Sequence, residues 1–237
     1  MEDKHFAVLI DAENVSDKYI KYIFDELSND GIVTYKRIYG DWTTPGLSSW
    51  KKVLLDYSIT PIQQYSYTSG KNSTDSAMII DAMDILYTGK VEGFCIVSSD
   101  SDFTRLVSRL RESGMHVIGM GEKKTPSPFI SACSKFKYLE VLSRSASTES
   151  PANDAETNVT PLSEVKKAIL AVTDDISDDD GWSSLSELGN VLLKRIPDFD
   201  VRNYGYSKLT PFISSLGTFE IKSVPKNNLN IIYVRRK

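Results

Sequence analysis

Between Phe6 and about Leu142, short apolar runs of strand length alternate with segments of helical spacing. That alternation limits the chain to few folds. FAVLI, from Phe6 to Ile10, is continuously apolar, as a strand covered on both faces must be. Tyr19, Ile20, Ile23, Phe24 and Leu27 then share one helical face, and the pattern stops at Asn29-Asp30-Gly31. A strand is expected around Ile32 to Tyr39, a helix around Leu47 to Tyr57, and a strand around Pro61 to Tyr67. A helix from about Asp75 to Leu86 follows. Next come the strand FCIV, a helix from about Asp102 to Glu112 closed by Gly114, and the strand HVIGM. Strands separated by helices predict a parallel sheet covered on both faces. Right-handed crossovers make it a doubly wound, three-layer α/β/α domain.

The texture changes after Leu142. SRSASTESPANDAETNVT is small and polar, which reads as a flexible linker over residues 144–159 between domains at 1–143 and 160–237. Thr160-Pro161 predicts an N-cap followed by proline in the first helical position, with Leu162, Val165, Ile169 and Leu170 as the apolar stripe. Ser184-Leu185-Ser186-Glu187 has the capping-box pattern and precedes Leu188, Leu192 and Ile196. Leu209, Phe212, Ile213 and Leu216 suggest a third helix, and FEIKSV, PKNN and LNIIYVRR a terminal hairpin. Three short helices and a hairpin make a winged helix.

No apolar run approaches the ~20 residues of a membrane span, and MEDKHF lacks the layout of a signal peptide. Cys95 and Cys133 have no metal-type spacing, so reduced thiols and a cytoplasmic location are expected. The net charge of -4 does not exclude nucleic acid, because basic groups can be local and a cation can offset carboxylates.

In an open α/β sheet, ligands bind beyond the carboxyl ends of the strands. Asp11 follows FAVLI, Asp100 and Asp102 follow FCIV, and Asp75 opens a helix entered from the loop after another strand. If those strands are neighbours, four carboxylates converge, and they repel unless a cation neutralises them. Mg²⁺ or Mn²⁺ suits such oxygen donors, and either ion can polarise a phosphoryl oxygen and activate water. The spacing thus points to a metal site for phosphodiester hydrolysis. Capping is the competing explanation, since an Asp between strand and helix is a favoured N-cap. Asp102 suits that role, whereas Asp100 is left unexplained by it.

Supporting positions are Asn14, able to orient Asp11 or a metal-bound water, and Lys71, able to pair with phosphate. Ser98 and Ser99 could donate to carboxylates or substrate, or simply build the turn. Asp81 and Asp84 lie close together on one helical face, and Asp41 in YGDW is a further acidic position. Other chemistries fit poorly. Two histidines, His5 and His116, lack partners for nucleophilic catalysis, and SGKNST lacks the first glycine of a P-loop.

IDAEN (Ile10–Asn14), GKNSTDSAMIIDAMD (Gly70–Asp84) and SSDSDFTRLVSRLRESGMHVIGMG (Ser98–Gly121) together resemble the NYN domain of the PIN-like ribonuclease superfamily. The resemblance implies a Rossmann-like α/β/α fold and an acidic, Mg²⁺- or Mn²⁺-dependent site that cleaves RNA. Asp11, Asp75, Asp100 and Asp102 match the acidic set, with Asn14 and Asp81 at further family positions. Ser99 stands where a glycine is usual. Asp180 to Ile213 resembles the OST-HTH, or LOTUS, domain through Gly181-Trp182, Leu188-Gly189, Ile196-Pro197-Asp198-Phe199 and Tyr204 to Leu209. That implies binding of RNA, or of protein partners. Lys208, Lys222, Lys226, Arg235, Arg236 and Lys237 around the last helix and hairpin could meet a phosphate backbone, and Tyr204 and Tyr206 could stack on bases. The acidic run DDISDDD should face away from RNA. The expectation is a metal-dependent ribonuclease with an attached RNA-recognition module, in which a homodimer is possible. The alternatives are a non-catalytic RNA-binding or regulatory adaptor and, more remotely, a phosphotransferase.

Overall fold

The computed structural model describes residues 3–65, 73–144, 158–226 and 229–237. They form two compact units, described separately below, which divide after Asn158.

The first unit is a parallel sheet in the order β3-β2-β1-β4-β5-β6. The strands are β1 (His5–Asp11), β2 (Ile32–Gly40), β3 (Thr60–Gln63), β4 (Gly93–Val97), β5 (His116–Gly121) and β6 (Lys135–Tyr138). They are joined by α1 (Ile20–Leu27), α2 (Trp50–Asp56), α3 (Ser73–Thr88), α4 (Thr104–Glu112) and α5 (Ser127–Ala132), and α6 (Leu139–Arg144) follows β6. Alternate residues of each strand face opposite layers. Phe6, Val8, Ile10, Cys95, Val97, Ile118 and Met120 join Ile20, Ile23, Trp50 and Leu139 in one core on the side of α1, α2 and α6. α3 packs against β1 and β2, and α4 against β5. The buried Met78, Ala82 and Ile85 of α3 and Leu106, Val107 and Leu110 of α4 make the other layer.

The expected α/β alternation holds through HVIGM. α2 starts later than expected because Pro45–Leu47 closes a 3-10 turn first. β6 has no apolar signature, since two of the four residues in KFKY are lysines. Lys135 is neutralised by Asp30 at 2.8 Å and Lys137 by Glu26 at 3.3 Å, which lets a cationic strand lie largely buried. Gly121 needs to be small, because a Cβ there would come within 2.7 Å of the Ser98 carbonyl oxygen beside the site. Both thiols are free and buried, and burial pushes Cys133 up to about 12, so neither is a reactive nucleophile. No helix among the described residues is long and apolar enough to cross a membrane.

The second unit contains α7 (Leu162–Ile176), β7 (Ser183–Ser184), α8 (Leu185–Arg195), α9 (Leu209–Ser215), β8 (Phe219–Lys226) and β9 (Leu229–Arg236). β9 pairs antiparallel with both β7 and β8, giving a winged-helix sheet. Val165, Ile169, Leu188, Leu192, Phe199, Phe212 and Val234 meet in its core. Three local expectations need correction. Pro161 itself is the cap residue of α7, while Thr160 donates its amide and hydroxyl to Asp198 at 3.0 and 2.7 Å. Leu162 is exposed rather than part of the apolar stripe. Ser184 occupies the cap of α8 without a side-chain capping bond, because its backbone pairs with β9.

The end of the expected linker is also not free chain. Asn158 donates its side-chain amide to the Lys124 and Thr125 carbonyls and accepts from the Tyr138 hydroxyl through its own carbonyl. It is thereby fixed to the first unit.

Candidate metal and nucleic-acid site

The strand order reverses between β1 and β4, and the crevice beyond their carboxyl ends is where such sheets place ligands. Ile10 pairs with Val97, so Asp11 and Ser98 follow side by side. The Ser98 hydroxyl donates to Asp11 Oδ2 at 2.8 Å and accepts from the Asp100 amide at 3.1 Å. One buried serine thus ties the two strand ends together.

Asp75, Asp100 and Asp102 form the cluster, each offering one oxygen within 4.8 Å of the others. Asp75 lies in the first turn of α3. Asp100 precedes the 3-10 turn Ser101–Phe103 and accepts from the Asp102 amide at 2.9 Å. The sequence reading is therefore inverted at this pair. Asp100 is the cap, and Asp102 sits inside the turn it closes. The reason is that the chain forms a 3-10 turn before α4, which moves the cap two residues back. Both helix starts present partial positive charge to the cluster, which offsets some of the repulsion.

Asp11 stands behind the cluster rather than in it. It is 1% exposed, and its Oδ1 accepts from the amides of Glu13 and Asn14 at 3.0 and 3.3 Å. Oδ2 accepts from Asn14 Nδ2 and the Ser98 hydroxyl, both at 2.8 Å. A carboxylate has about four lone-pair sites, so these donors occupy all of them. Burial pushes its pKa up, and the hydrogen bonds pull the other way. Asn14 thus holds Asp11 through both its backbone and its side-chain amide.

Asp75 carries the electrostatic strain. Its pKa is pushed up to about 6, first by burial and then by the charges of Asp11, Asp100, Asp102 and Glu13. Glu13 is the residue that sequence reasoning missed. Its Oε1 accepts from the Thr74 hydroxyl at 3.1 Å and the Asp41 amide at 3.4 Å, so it spans β1, β2 and α3. It sits inside the IDAEN motif, and the signal was its place two residues beyond Asp11.

Other expected positions fall elsewhere. Ser99 accepts from the Glu122 amide at 2.8 Å, which directs it to the end of β5 and away from the carboxylates. Asp81 is no solvated residue and no member of the cluster. It bonds the Arg37 guanidinium and the Tyr39 hydroxyl, locking α3 onto β2. Asp41 is buried and accepts from Thr43 and Gln63. Lys71 lies outside the described residues, as does the side chain of Lys226.

In the winged unit, Tyr204 is partly buried and packs against the core. Its ring stacks on Phe212 with centroids 5.4 Å apart, and its hydroxyl donates to the Thr160 carbonyl at 2.7 Å. Tyr206 packs edge-on against the same Phe212. Lys208 is exposed at the start of α9, a helix with no basic residue of its own. Lys222 and Arg235 lie 3.9 and 4.6 Å from the ring centroid of Trp182, so both cations are stacked on its indole. Arg235 also pairs with Glu220, and Arg236 with Asp174. The acidic run does not merely face away, because Asp174 and Asp175 pair with Arg236 and Arg195.

The NYN domain family matches residues 5–140, more than half of the chain. The chain belongs to the NYN family. The OST-HTH/LOTUS domain matches residues 160–231 and follows it. NYN domains have the PIN-like nuclease fold, and OST-HTH/LOTUS domains bind RNA. Among solved structures, a protein of unknown function from Vibrio parahaemolyticus is similar at 18% identity. The match covers 58% of this chain and 93% of that one with a TM-score of 0.49. An uncharacterized protein from Nitrosomonas europaea is 35% identical over 38% of this NYN protein and 88% of its own chain, with a TM-score of 0.29. No curated protein matches the chain.

Proposed function

We propose that this NYN protein is a divalent-metal-dependent ribonuclease whose OST-HTH/LOTUS unit supplies RNA recognition. The observation that carries the reading is the convergence of Asp75, Asp100 and Asp102 at the sheet's switch point, with Asp75 pushed up to about 6 by its surroundings. Three hard oxygen donors held against mutual repulsion fit Mg²⁺ or Mn²⁺. Asp75, Asp100 and Asp102 would hold the ion, and Asp11 would fix the backbone at Asp100 through Ser98. A bound ion supplies Lewis acidity toward a phosphodiester oxygen and lowers the pKa of water. The protein's own contribution is positional. Asp100 organises the turn that carries Asp102, α3 delivers Asp75 from the opposite side, and Glu13 braces the start of α3 through Thr74.

Lys208 and the Trp182–Lys222–Arg235 group are proposed to meet phosphates in the second unit. Linking the two activities raises the substrate concentration at an acidic crevice that binds RNA poorly by itself.

The test is cleavage of labelled single-stranded and structured RNA by the full chain with Mn²⁺, with Mg²⁺ and with chelator, beside Asp75→Asn and Asp100→Asn. The expected outcome is metal-dependent cleavage that both substitutions reduce at least about a hundredfold, the loss of several kcal/mol of charge stabilisation. Cleavage surviving both substitutions removes the assigned site. RNA binding without cleavage under any metal favours the adaptor.

A further inference from the structure

A hollow of about 610 Å³ opens on the same strand edge, between the loop after β2, α2 and β3. Trp42, Pro45, Leu47, Leu54 and Pro61 form its apolar walls, with Ser48 and Lys51 also lining it. Resting on the ribonuclease reading, we infer that this hollow receives an unpaired nucleobase of the RNA strand whose phosphodiester lies at the aspartate cluster.

Four observations carry the inference. First, the walls are held open by hydrogen bonds and not by a missing partner. The Trp42 indole N–H donates to the Ile62 carbonyl at 3.0 Å, its amide to Gln63 Oε1 at 3.0 Å, and Gln63 Nε2 to Asp41 Oδ1 at 3.0 Å. With its N–H committed, the indole offers the hollow only apolar ring surface, which suits a flat heteroaromatic ligand.

Second, the hollow is joined to the cluster. Asp41, in the loop that forms its wall, donates its amide to Glu13 Oε1, and the Thr74 hydroxyl donates to the same oxygen next to Asp75. A second hollow of about 570 Å³ shares Thr44 and Leu47 with the first and runs to Glu13 and Asn14. The two hollows therefore have Thr44 and Leu47 as a common wall.

Third, the charge is complementary. The Lys51 ammonium and the Ser48 hydroxyl have no hydrogen-bond partner among the described residues, and both are exposed to meet a sugar-phosphate. A cation on the wall of the hollow favours the approach of a polyanion. Fourth, the volume lies in the range of small-molecule sites and accommodates a nucleoside. A base inside a duplex cannot reach its walls, so the hollow selects unpaired RNA.

The test uses the ¹⁵N-labelled full chain in chelator, titrated with uridine or adenosine 5′-monophosphate and, as a control without a base, ribose 5-phosphate. Trp42→Phe assigns the Trp42 indole resonance among those of Trp42, Trp50 and Trp182. The expected result is that at least one nucleotide moves the Trp42 resonance and ribose 5-phosphate does not. Ser48→Phe, which fills the hollow from an exposed turn, should abolish the shift, and Lys51→Ala should weaken binding at least threefold. A Trp42 resonance that both nucleotides leave unmoved, or that moves equally in Ser48→Phe, overturns the inference. No metal or turnover enters this readout, so an inactive aspartate cluster leaves it intact. Conversely, metal-dependent cleavage with the same preference for unpaired RNA in Ser48→Phe would refute the hollow and spare the nuclease.

Discussion

Replacing Asp75 by asparagine should stabilise the NYN unit when no divalent ion is present. The folded carboxyl is pushed from 3.8 to about 6, a shift of about two units, or about 3 kcal/mol at 1.36 kcal/mol per unit. Asp75 is only half-buried, so solvent screening reduces this to about 1 kcal/mol, a rise of about 2–4 °C in melting temperature. The sign follows from proton linkage. Between pH 3.8 and about 6 the folded chain keeps a proton that the unfolded chain has lost, so stability falls as pH rises through that window. Above it the penalty is fully present, and below it the penalty vanishes. Urea unfolding in chelator, followed for wild type and Asp75→Asn, should therefore show the variant ahead at pH 7.5 and level near pH 4. Mn²⁺ at tenfold its wild-type dissociation constant should add about 1.4 kcal/mol to the wild type and about 0.4 kcal/mol or less to the variant. A variant that is less stable than wild type at pH 7.5 in chelator, or equally favoured at both pH values, refutes the reasoning.

Three further outcomes are expected. Ser98→Ala removes the hydroxyl shared by Asp11 and the Asp100 amide; chemical denaturation should show a loss of about 1–3 kcal/mol, with cleavage reduced as well. Asp81→Asn should cost about 1–3 kcal/mol in the same assay by stranding Arg37 and Tyr39, while Mn²⁺ affinity stays unchanged because Asp81 lies outside the cluster. Lys208→Glu should weaken RNA binding evenly across sequences and lower the slope of log affinity against log salt by about one, read by fluorescence anisotropy.

The alternation of apolar runs carried the sheet, because a strand buried on both faces has no polar position to spare. Phe6–Ile10 and Phe94–Val97 were legible for that reason, and so was their joint delivery of aspartates to one edge. β6 was not legible, since Lys135 and Lys137 are neutralised by Asp30 in the turn after α1 and Glu26 in α1, more than a hundred residues away in sequence. Within the site, residue type showed which carboxylates matter but not how they divide the work. Asp100 and Asp102 exchanged roles because a 3-10 turn and an α-helix start with the same residues. Asp11 withdrew behind four hydrogen bonds that only the folded loop creates. Tyr204 looked available in the sequence and is spent on Phe212, since an aromatic in a short polar motif gives no sign of which way it faces.

The central claim is that aspartates from separate elements share one cation. Mn²⁺ binding to the full chain, read from loss of the free-ion electron paramagnetic resonance signal, tests it most directly. Asp75→Asn on α3 and Asp100→Asn after β4 should each weaken Mn²⁺ binding at least about tenfold. An Mn²⁺ affinity unchanged by both substitutions would contradict it.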